Sequence, residues 1–172
     1  IKGDELEVDF EGTDAQVATN INCPFASCLA SALSCVKSVI SAPDIPFNEG
    51  VKRPVTVKAP FGSILNPRPP APVRARLLPA YRAYNAVMDA LAKAVPAQVI
   101  APGYDTTTSF CLAHLGEKGY SVYLEIFGGG YGAGAGNDGV DAVDSPLSNC
   151  SNTPVESLDA DYDFFRVTGY EM

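Results

Sequence analysis

The amino-acid sequence predicts a mixed α+β fold, with a mainly antiparallel sheet packed on two main helices and long proline- and glycine-rich loops. Short segments of alternating apolar and polar residues indicate strands, and two longer segments with apolar residues three or four apart indicate helices. Irregular segments, not regular crossover helices, separate the strand patterns, which argues against a doubly wound sheet. The length of 172 residues suits one domain. Because the chain starts at Ile1 and enters a strand pattern directly, we expect residues 1–172 to be a piece of a longer polypeptide.

The composition is that of an ordinary globular protein, with 47% apolar and 19% charged residues. No apolar stretch approaches the roughly 20 residues that span a bilayer, and no signal peptide opens the chain, so we expect no membrane association. The five cysteines are odd in number and form no C-x-x-C pair, which argues against a structural zinc site. Cys28 and Cys35 lie seven residues apart on one helical face. Free thiols in such positions suit the reducing cytoplasm.

The charges are divided into opposed blocks. Residues 52–93 hold eight basic residues and one acid, whereas residues 138–172 hold eight acids and one base. These blocks could face each other inside the fold, or they could meet the complementary field of a partner subunit. The basic block is rich in proline and has acidic flanks that would repel phosphates, so nucleic-acid binding is not expected.

Residues 5–11 alternate between acidic and apolar side chains, which predicts a strand with one face in a core. The acidic face could bind a cation, but solvation explains the alternation and is the preferred interpretation. Residues 25–40 show helical spacing, and Pro43 ends this helix. Asn22 precedes the helix and could cap it or place an amide on a substrate; capping is the preferred interpretation.

Nine prolines fall between Pro43 and Pro79, with a short strand-like piece at residues 55–59. Residues 66–72 are expected to be extended, because proline fixes φ and disfavours helix at the residue before it. This segment is either a rigid connector or a recognition arm for a partner chain. The arm could carry an anion-binding or interface patch formed by three arginines, Arg68, Arg74 and Arg76.

The second predicted helix covers residues 79–95, with Pro79 in its first turn. Residues 105–113 and 120–127 then predict a hairpin across residues 116–119. His114 is placed at the hairpin tip as a surface residue, since one histidine cannot form a metal site or a catalytic triad alone.

The C-terminal part begins with a short turn or helix opened by Asn149, Asn152 and Pro154. Asn152 or Thr153 is the expected cap of this element. A final strand is predicted at residues 163–170.

Residues 125–139 hold seven of the fifteen glycines and directly follow a strand pattern. Glycine suits positions that need positive φ or the close approach of another group, so we expect a structured loop over a ligand rather than a flexible linker. Asn137 and Asp138 stand where a Walker A loop needs Lys and Ser/Thr, and no amphipathic helix follows as in a dinucleotide fingerprint. Phosphate binding by this loop is therefore not expected.

Several motifs, in this order, resemble the C-terminal half of the hydantoinase B/oxoprolinase family. Each motif is weak alone, and their collinear order over almost the whole chain makes the resemblance specific. The motifs are residues 3–13, 22–24, 45–50 with 53–54, 65–67, 70–72, 128–133, 138–139 and 152–156.

The resemblance implies a large subunit that works with an ATP-dependent, hydantoinase A-like partner on cyclic amides such as hydantoins, N-methylhydantoins or 5-oxoproline. The chain also resembles the α subunit of acetone and acetophenone carboxylases, which join activated bicarbonate to a ketone. In both cases the partner activates the substrate by phosphorylation. The family's divalent metal is expected in an N-terminal half outside this sequence and ATP on the partner, so residues 1–172 hold no cofactor of their own.

The resemblance and the loop chemistry together suggest candidate site residues. We expect catalytic roles for Glu125 and Asp138, and Glu125 would have a raised pKa if it is buried without compensating donors. The candidate substrate-binding residues are Asn22, Gly128, Gly129, Gly130, Tyr131, Gly132 and Asn152. The alternative is a non-catalytic module in which the proline segment and the charge blocks dock subunits.

Overall fold

The computed structural model describes residues 1–106, 108–117, 119–148 and 150–169. Within these ranges it confirms the mixed α+β class. The elements are β1 (Leu6–Asp9), α1 (Phe25–Ile40), α2 (Glu49–Lys52), β2 (Val55–Lys58), α3 (Leu77–Ala92), a 3₁₀ turn (Pro96–Gln98), β3 (Ser109–Gly116), β4 (Gly119–Ile126) and α4 (Val155–Asp161).

The core lies between α1 and α3, which pack against each other. Helix α1 has the bounds that its periodicity predicts, whereas α3 starts two residues before Pro79 and ends before Val95. Each fully buried aliphatic side chain on these helices contributes roughly 1.5–3 kcal/mol of burial free energy. Over the described ranges, the helices fall short of the length and hydropathy that crossing a bilayer requires. The central cluster consists of Ala32, Cys35, Val36, Val39, Tyr84, Val87, Met88 and Leu91.

Asn22 is fully buried and joins three chain segments, which corrects the interpretation of this residue as the cap of α1. Helix α1 starts after Pro24 and has no side-chain cap among the described residues. The amide of Asn22 instead accepts from Val17 N–H at 2.9 Å and donates to the carbonyls of Val17, Thr19 and Pro72 at 2.9–3.0 Å. Both polar atoms of this side chain have partners within the chain, and a contact with substrate stays a prediction.

Strands β1 and β2 pair in parallel, with Leu6 opposite Val55 and Asp9 opposite Lys58. Helix α1 lies in the connection between them and serves as a crossover helix, which the sequence pattern did not predict. The sheet is also divided into two pairs, β1–β2 and β3–β4, of which the antiparallel pair is the longer. On the acidic face of β1, exposed Glu7 pairs with Lys58 at 2.6 Å.

The predicted hairpin is confirmed as β3–β4, although β3 begins at Ser109 rather than Asp105. Asp105 is instead held on α3, where its Oδ2 accepts from Arg82 Nη2 at 2.7 Å and from Asn85 Nδ2 at 2.5 Å. These two bonds draw the chain away from the strand and explain the late start. Lys118, in the predicted turn, lies outside the described residues.

The predicted C-terminal strand is absent from residues 163–169, which form bends and irregular chain. Phe164 and Phe165, both half-buried, pack with Tyr162 in an aromatic cluster in place of a strand. His114 lies within β3, not at the tip, and its ring stacks on Phe164 with 5.1 Å between centroids. Tyr170 and Asn149, which also entered the predictions for this region, lie outside the described residues.

Residues 66–72 are not an extended arm. The chain turns back between Arg68 and Ala71, where Ala71 N–H donates to Arg68 O at 3.1 Å and the Pro69–Pro70 bond is cis. Arg68 N–H also donates to Gln16 Oε1 at 2.6 Å, which ties the turn to the N-terminal part of the chain. These contacts support the connector interpretation of the proline segment.

Candidate functional site

The glycine-rich loop is structured, as predicted, and forms the middle of three chain segments that lie side by side. Residues 128–134 accept hydrogen bonds from residues 100–104 on one side and exchange them with residues 140–144 on the other. The pairs are Ala101 N–H to Ala133 O (2.8 Å), Tyr104 N–H to Gly130 O (2.9 Å), Gly130 N–H to Val143 O (2.9 Å) and Tyr131 N–H to Val140 O (2.8 Å).

Close packing of these segments explains the glycines. A Cβ on Gly128 would lie 2.5 Å from the backbone nitrogen of Asp144, closer than real Cβ atoms come to backbone. Gly130 has φ of +114°, which an L side chain rarely adopts, and its added Cβ would meet Val140 O at 2.7 Å. The loop is therefore shaped by its neighbours in the chain.

Three backbone N–H groups of the loop already have partners within the chain. The N–H groups of Gly128, Gly130 and Tyr131 all donate to acceptors within the chain. A nest that binds phosphate needs such groups free and pointing at the ligand. We expected Gly128 to Gly132 to bind substrate. The N–H groups of Gly128, Gly130 and Tyr131 are not free to donate to it.

Glu125 is buried at the end of β4 and connects the hairpin with the start of α4. Its Oε1 accepts from Thr153 N–H at 2.9 Å, and its Oε2 accepts from the Tyr123 hydroxyl in a short hydrogen bond. Next to it, Asn152 Oδ1 accepts from Gly128 N–H at 2.9 Å while its Nδ2 donates to Ala142 O at 3.1 Å. Three predicted site residues, Glu125, Gly128 and Asn152, are therefore brought together.

The electrostatics of Glu125 differ from the expectation. Burial raises the pKa of Glu125, but hydrogen bonds from the Thr153 side chain, the Tyr123 hydroxyl and the Thr153 N–H outweigh this and leave the pKa below its ordinary value. The raised pKa was expected only for a buried Glu125 without compensating donors, and this carboxylate has donors on both oxygens. Burial and the bond to this carboxylate raise the pKa of Tyr123 to about 12. The lowered pKa favours the ionised carboxylate, which accepts these hydrogen bonds, and a catalytic role of Glu125 stays a prediction.

A cleft of about 380 Å³ opens beside this group and is within the size range of small-molecule sites. Tyr123, Glu125, Asn152 and Thr153 line it together with Arg166 and apolar side chains. Such a cleft can hold a small apolar or ring-shaped group. The main apolar lining residues are Phe110, Leu112, Phe127, Val155, Leu158 and Phe165.

The other predicted site residues lie apart from this cleft. Asp138 is exposed in the irregular segment that follows Asn137, and Asn22 belongs to the N-terminal part of the chain. Tyr131 lines a narrow gap with Tyr84 and Ser145. Burial is the larger cause that raises the pKa of Tyr131, and the nearby Asp144 is the smaller one. The catalytic role of Asp138 stays a prediction.

Sequence reasoning missed three residues of this region. Tyr123 could have been found, because it lies two residues before Glu125 and so shares its strand face. Thr153 contacts Glu125 through both its side chain and its N–H, and the N–H contact carries no sequence signal. Asp144 is buried, and its Oδ1 accepts from Ser145 N–H at 2.7 Å, while its Oδ2 has no hydrogen-bond partner among the described residues.

The described residues do not fit the divalent metal that the resemblance implies. Within the described ranges, no group of three or more His, Cys, Asp or Glu side chains could hold a metal ion. His114, the one histidine of the chain, stacks on Phe164 instead.

Comparisons with known proteins agree with the motifs. The sequence model of the hydantoinase B/oxoprolinase family matches residues 1–172. A protein of Pseudomonas sp. (strain NS671), named as one of the subunits of a D-/L-hydantoinase, is 34% identical over 100% of this chain and 30% of its own length. The 5-oxoprolinase of Saccharomyces cerevisiae is 32% identical over 78% of this chain and 10% of its own length.

A solved structure is similar as well. The crystal structure of ATP-dependent caprolactamase from Pseudomonas jessenii aligns with a TM-score of 0.80 and 26% identity, over 94% of this chain and 29% of that chain. This chain thus spans less than a third of the length of each of these proteins. Motif order, fold and whole-length match all lead to one assignment: the chain belongs to the hydantoinase B/oxoprolinase family.

Proposed function

We propose that residues 1–172 are part of the large subunit of an ATP-dependent cyclic-amide hydrolase that works with a hydantoinase A-like partner. The observation that carries the proposal is the alignment with the caprolactamase structure at a TM-score of 0.80 over 94% of the chain. The names of the similar proteins refer to a hydantoin, to 5-oxoproline and to caprolactam. Each of these compounds is a ring with an amide bond in it, which defines the proposed substrate class.

The chemistry explains the need for ATP. Resonance makes a ring amide a poor electrophile, and phosphorylation of its oxygen by the partner would convert that oxygen into a leaving group. The divalent metal is proposed to bind outside residues 1–172, since the described residues do not fit it, and ATP is proposed to bind to the partner.

The described residues would supply a preformed wall of the substrate cleft. Ionised Glu125 holds Thr153 N–H, and Asn152 holds Gly128 N–H, so the hairpin, the glycine-rich loop and the start of α4 are fixed together. A wall fixed in this way requires little reorganisation when a ring binds. Asp138, which is exposed on the loop and lies apart from this cleft, is proposed to contact the substrate or the partner subunit in the complete enzyme.

The test uses the full-length protein with its hydantoinase A-like partner. Ring opening of hydantoin, 5-oxoproline and caprolactam is measured with and without ATP, together with phosphate release. The proposal expects ring opening of at least one compound, with phosphate release in step with it. Consumption of acetone or acetophenone with bicarbonate, and no ring opening, would show the carboxylase alternative instead.

The proposed role of Asp138 has its own comparison. The variant Asp138→Ala is expected to lower turnover, whereas Asp141→Ala, a second exposed carboxylate of the same region, is expected to leave it unchanged. Equal turnover of both variants and the wild type would favour the subunit-docking alternative for this loop.

A further inference from the structure

Strand β1 has one paired edge and one open edge. Leu6 N–H donates to Pro54 O at 2.8 Å and Phe10 N–H donates to Lys58 O at 3.0 Å, so these residues direct their backbone groups toward β2. Backbone groups alternate in direction along a strand. Glu7 and Asp9 therefore direct their N–H and C=O groups to the opposite edge.

A parallel pair of four residues per strand is not a stable sheet by itself. Parallel sheets occur almost only as larger sheets with both faces covered, and even an antiparallel two-stranded sheet is marginal alone. An edge with unpaired backbone groups also attracts further strands. These properties indicate that β1 is an inner strand in the complete protein.

The chain just before β1 already begins such a pairing. Lys2 and Glu5 form an antiparallel bridge, in which Lys2 N–H donates to Glu5 O at 2.9 Å and Glu5 N–H donates to Lys2 O at 3.1 Å. Gly3, with φ of +64°, makes the tight turn between them. The backbone N–H and C=O groups of Glu5 point to the same edge as those of Glu7 and Asp9, so the Lys2–Glu5 bridge lies on the open edge.

A groove continues from the bridge along this edge. It has a volume of about 450 Å³ and lies between β1 and α3, with Ile1 at one end. The helix side of the groove presents Ala86 and Ala90 on α3 and Ala94 just after it, beside the larger Val87 and Leu91. Small side chains let a neighbouring backbone come close, so the groove can take an extended chain.

We propose that the polypeptide segment immediately before Ile1 forms a β-strand, antiparallel to β1, in this groove. The bridge sets the register: the first residue before Ile1 lies opposite Glu7, and the third lies opposite Asp9. The relatives are long enough to include such a segment, because the chain spans 30% of the hydantoinase subunit and 29% of the caprolactamase chain. The proposal concerns assembly of the sheet and does not depend on the proposed reaction.

The register makes a statement about sequence that can be checked directly. Directly opposite residues of an antiparallel pair share a face, and Val8 and Phe10 face the core. The second and fourth residues before Ile1 are therefore expected to be apolar. Charged residues at both positions would contradict the register and overturn the proposal.

The structural test is residue-resolved hydrogen exchange on the full-length polypeptide. Amides of Glu7 and Asp9 are expected to exchange at least about tenfold more slowly than amides of exposed turns, as hydrogen-bonded groups do. Fast exchange of both amides would overturn the proposal. If protection of these amides from exchange increases with protein concentration, the strand pairs with a second copy of the chain, and the proposal is also overturned.

A matched pair of variants gives an independent result. Glu7→Pro removes the outward N–H, whereas Glu7→Ala removes only the side chain and its ion pair with Lys58. The full-length Glu7→Pro protein is expected to unfold at a clearly lower temperature than Glu7→Ala. Equal unfolding temperatures would show that this N–H has no partner and would overturn the proposal.

Discussion

Glu125 illustrates how neighbouring donors determine the state of a buried carboxylate. The fold removes this side chain from water, and the same fold places Tyr123 and the N–H of Thr153 against its two oxygens. Asp144 is equally buried but has a donor on only one oxygen among the described residues. Two carboxylates of similar burial are thus expected to respond differently to mutation.

For Glu125, we expect a measurable dependence of stability on pH. Its pKa is lower in the folded chain than in the unfolded chain, so its contribution is present above the unfolded value and is lost as pH falls through the folded value. Glu125→Gln should lose this pH-dependent contribution and lower the free energy of unfolding by about 1–3 kcal/mol near neutral pH. Thermal unfolding from neutral to acidic pH measures both effects.

The control for Glu125→Gln is Glu156→Gln, which changes an exposed carboxylate on α4. It should have a stability within about 0.5 kcal/mol of wild type. Identical acid sensitivity of Glu125→Gln and the wild type would contradict the assignment of this pH dependence to Glu125.

For Asp144, the two substitutions to compare are Asn and Ala. Asp144→Asn keeps an acceptor for Ser145 N–H and removes a buried charge, so the unfolding temperature should stay the same or increase. Asp144→Ala leaves that N–H without its acceptor and should cost about 1–3 kcal/mol. Chemical denaturation measures the difference; equal losses in both variants would mean that a donor does bind Oδ2.

At the level of the elements, the β3–β4 hairpin has two different faces. Tyr123 and Glu125 are buried on one face, next to α4 and the aromatic cluster. On the other face Leu115, Tyr120 and Leu124 are 58–78% exposed. The covered face connects through Glu125 and Asn152 to the glycine-rich loop, so the hairpin, the loop and α4 act as one packed unit.

The packing of the glycine-rich loop predicts a large effect for a small change. Gly128→Ala would place a Cβ 2.5 Å from a backbone nitrogen and should destabilise the protein by about 1–3 kcal/mol or more. Gly169→Ala is the matched control, because nothing lies within 4 Å of its added Cβ. Urea unfolding of the two variants provides the measurement. An unchanged free energy of unfolding for Gly128→Ala would mean that the neighbouring backbone moves to accept the added Cβ at little cost.

On the scale of the whole molecule, the ion pairs of the described residues do not join the two opposed charge blocks of the sequence. The four ion pairs in the described ranges are Lys52–Glu49, Lys58–Glu7, Arg82–Asp105 and Arg166–Asp159. None of these pairs joins the basic block of residues 52–93 to the acidic residues after position 138. A complementary field on a partner subunit stays a prediction for these blocks.

The cysteines should divide into two classes of reactivity. Burial raises the pKa of Cys23 to about 11 and the pKa values of Cys28 and Cys35 to about 12, whereas Cys111 and Cys150 are exposed. Iodoacetamide should therefore modify the three buried thiols only after denaturation. Mass spectrometry of peptides from native and denatured protein tests this, and alkylation of Cys28 in the native state would contradict it.

Sequence reasoning succeeded where the signal is local. The bounds of α1 follow from an apolar stripe of several turns, and the hairpin follows from two strand patterns around glycines. It failed where distant segments decide the structure. Four residues of β1 do not reveal a parallel partner beyond α1, and the donors to Glu125 include an N–H from residue 153.

The two kinds of strand pairing also suggest an order of folding. Strands β3 and β4 are adjacent in sequence and pair up to Gly116 opposite Gly119, and a hairpin of this kind forms in about 1–10 μs. The β1–β2 pair must first close the long connection that contains α1, and the entropy of that closure is lost before any ladder bond forms. The hairpin should therefore appear early in refolding, and the parallel pair should form only once α1 has docked on α3.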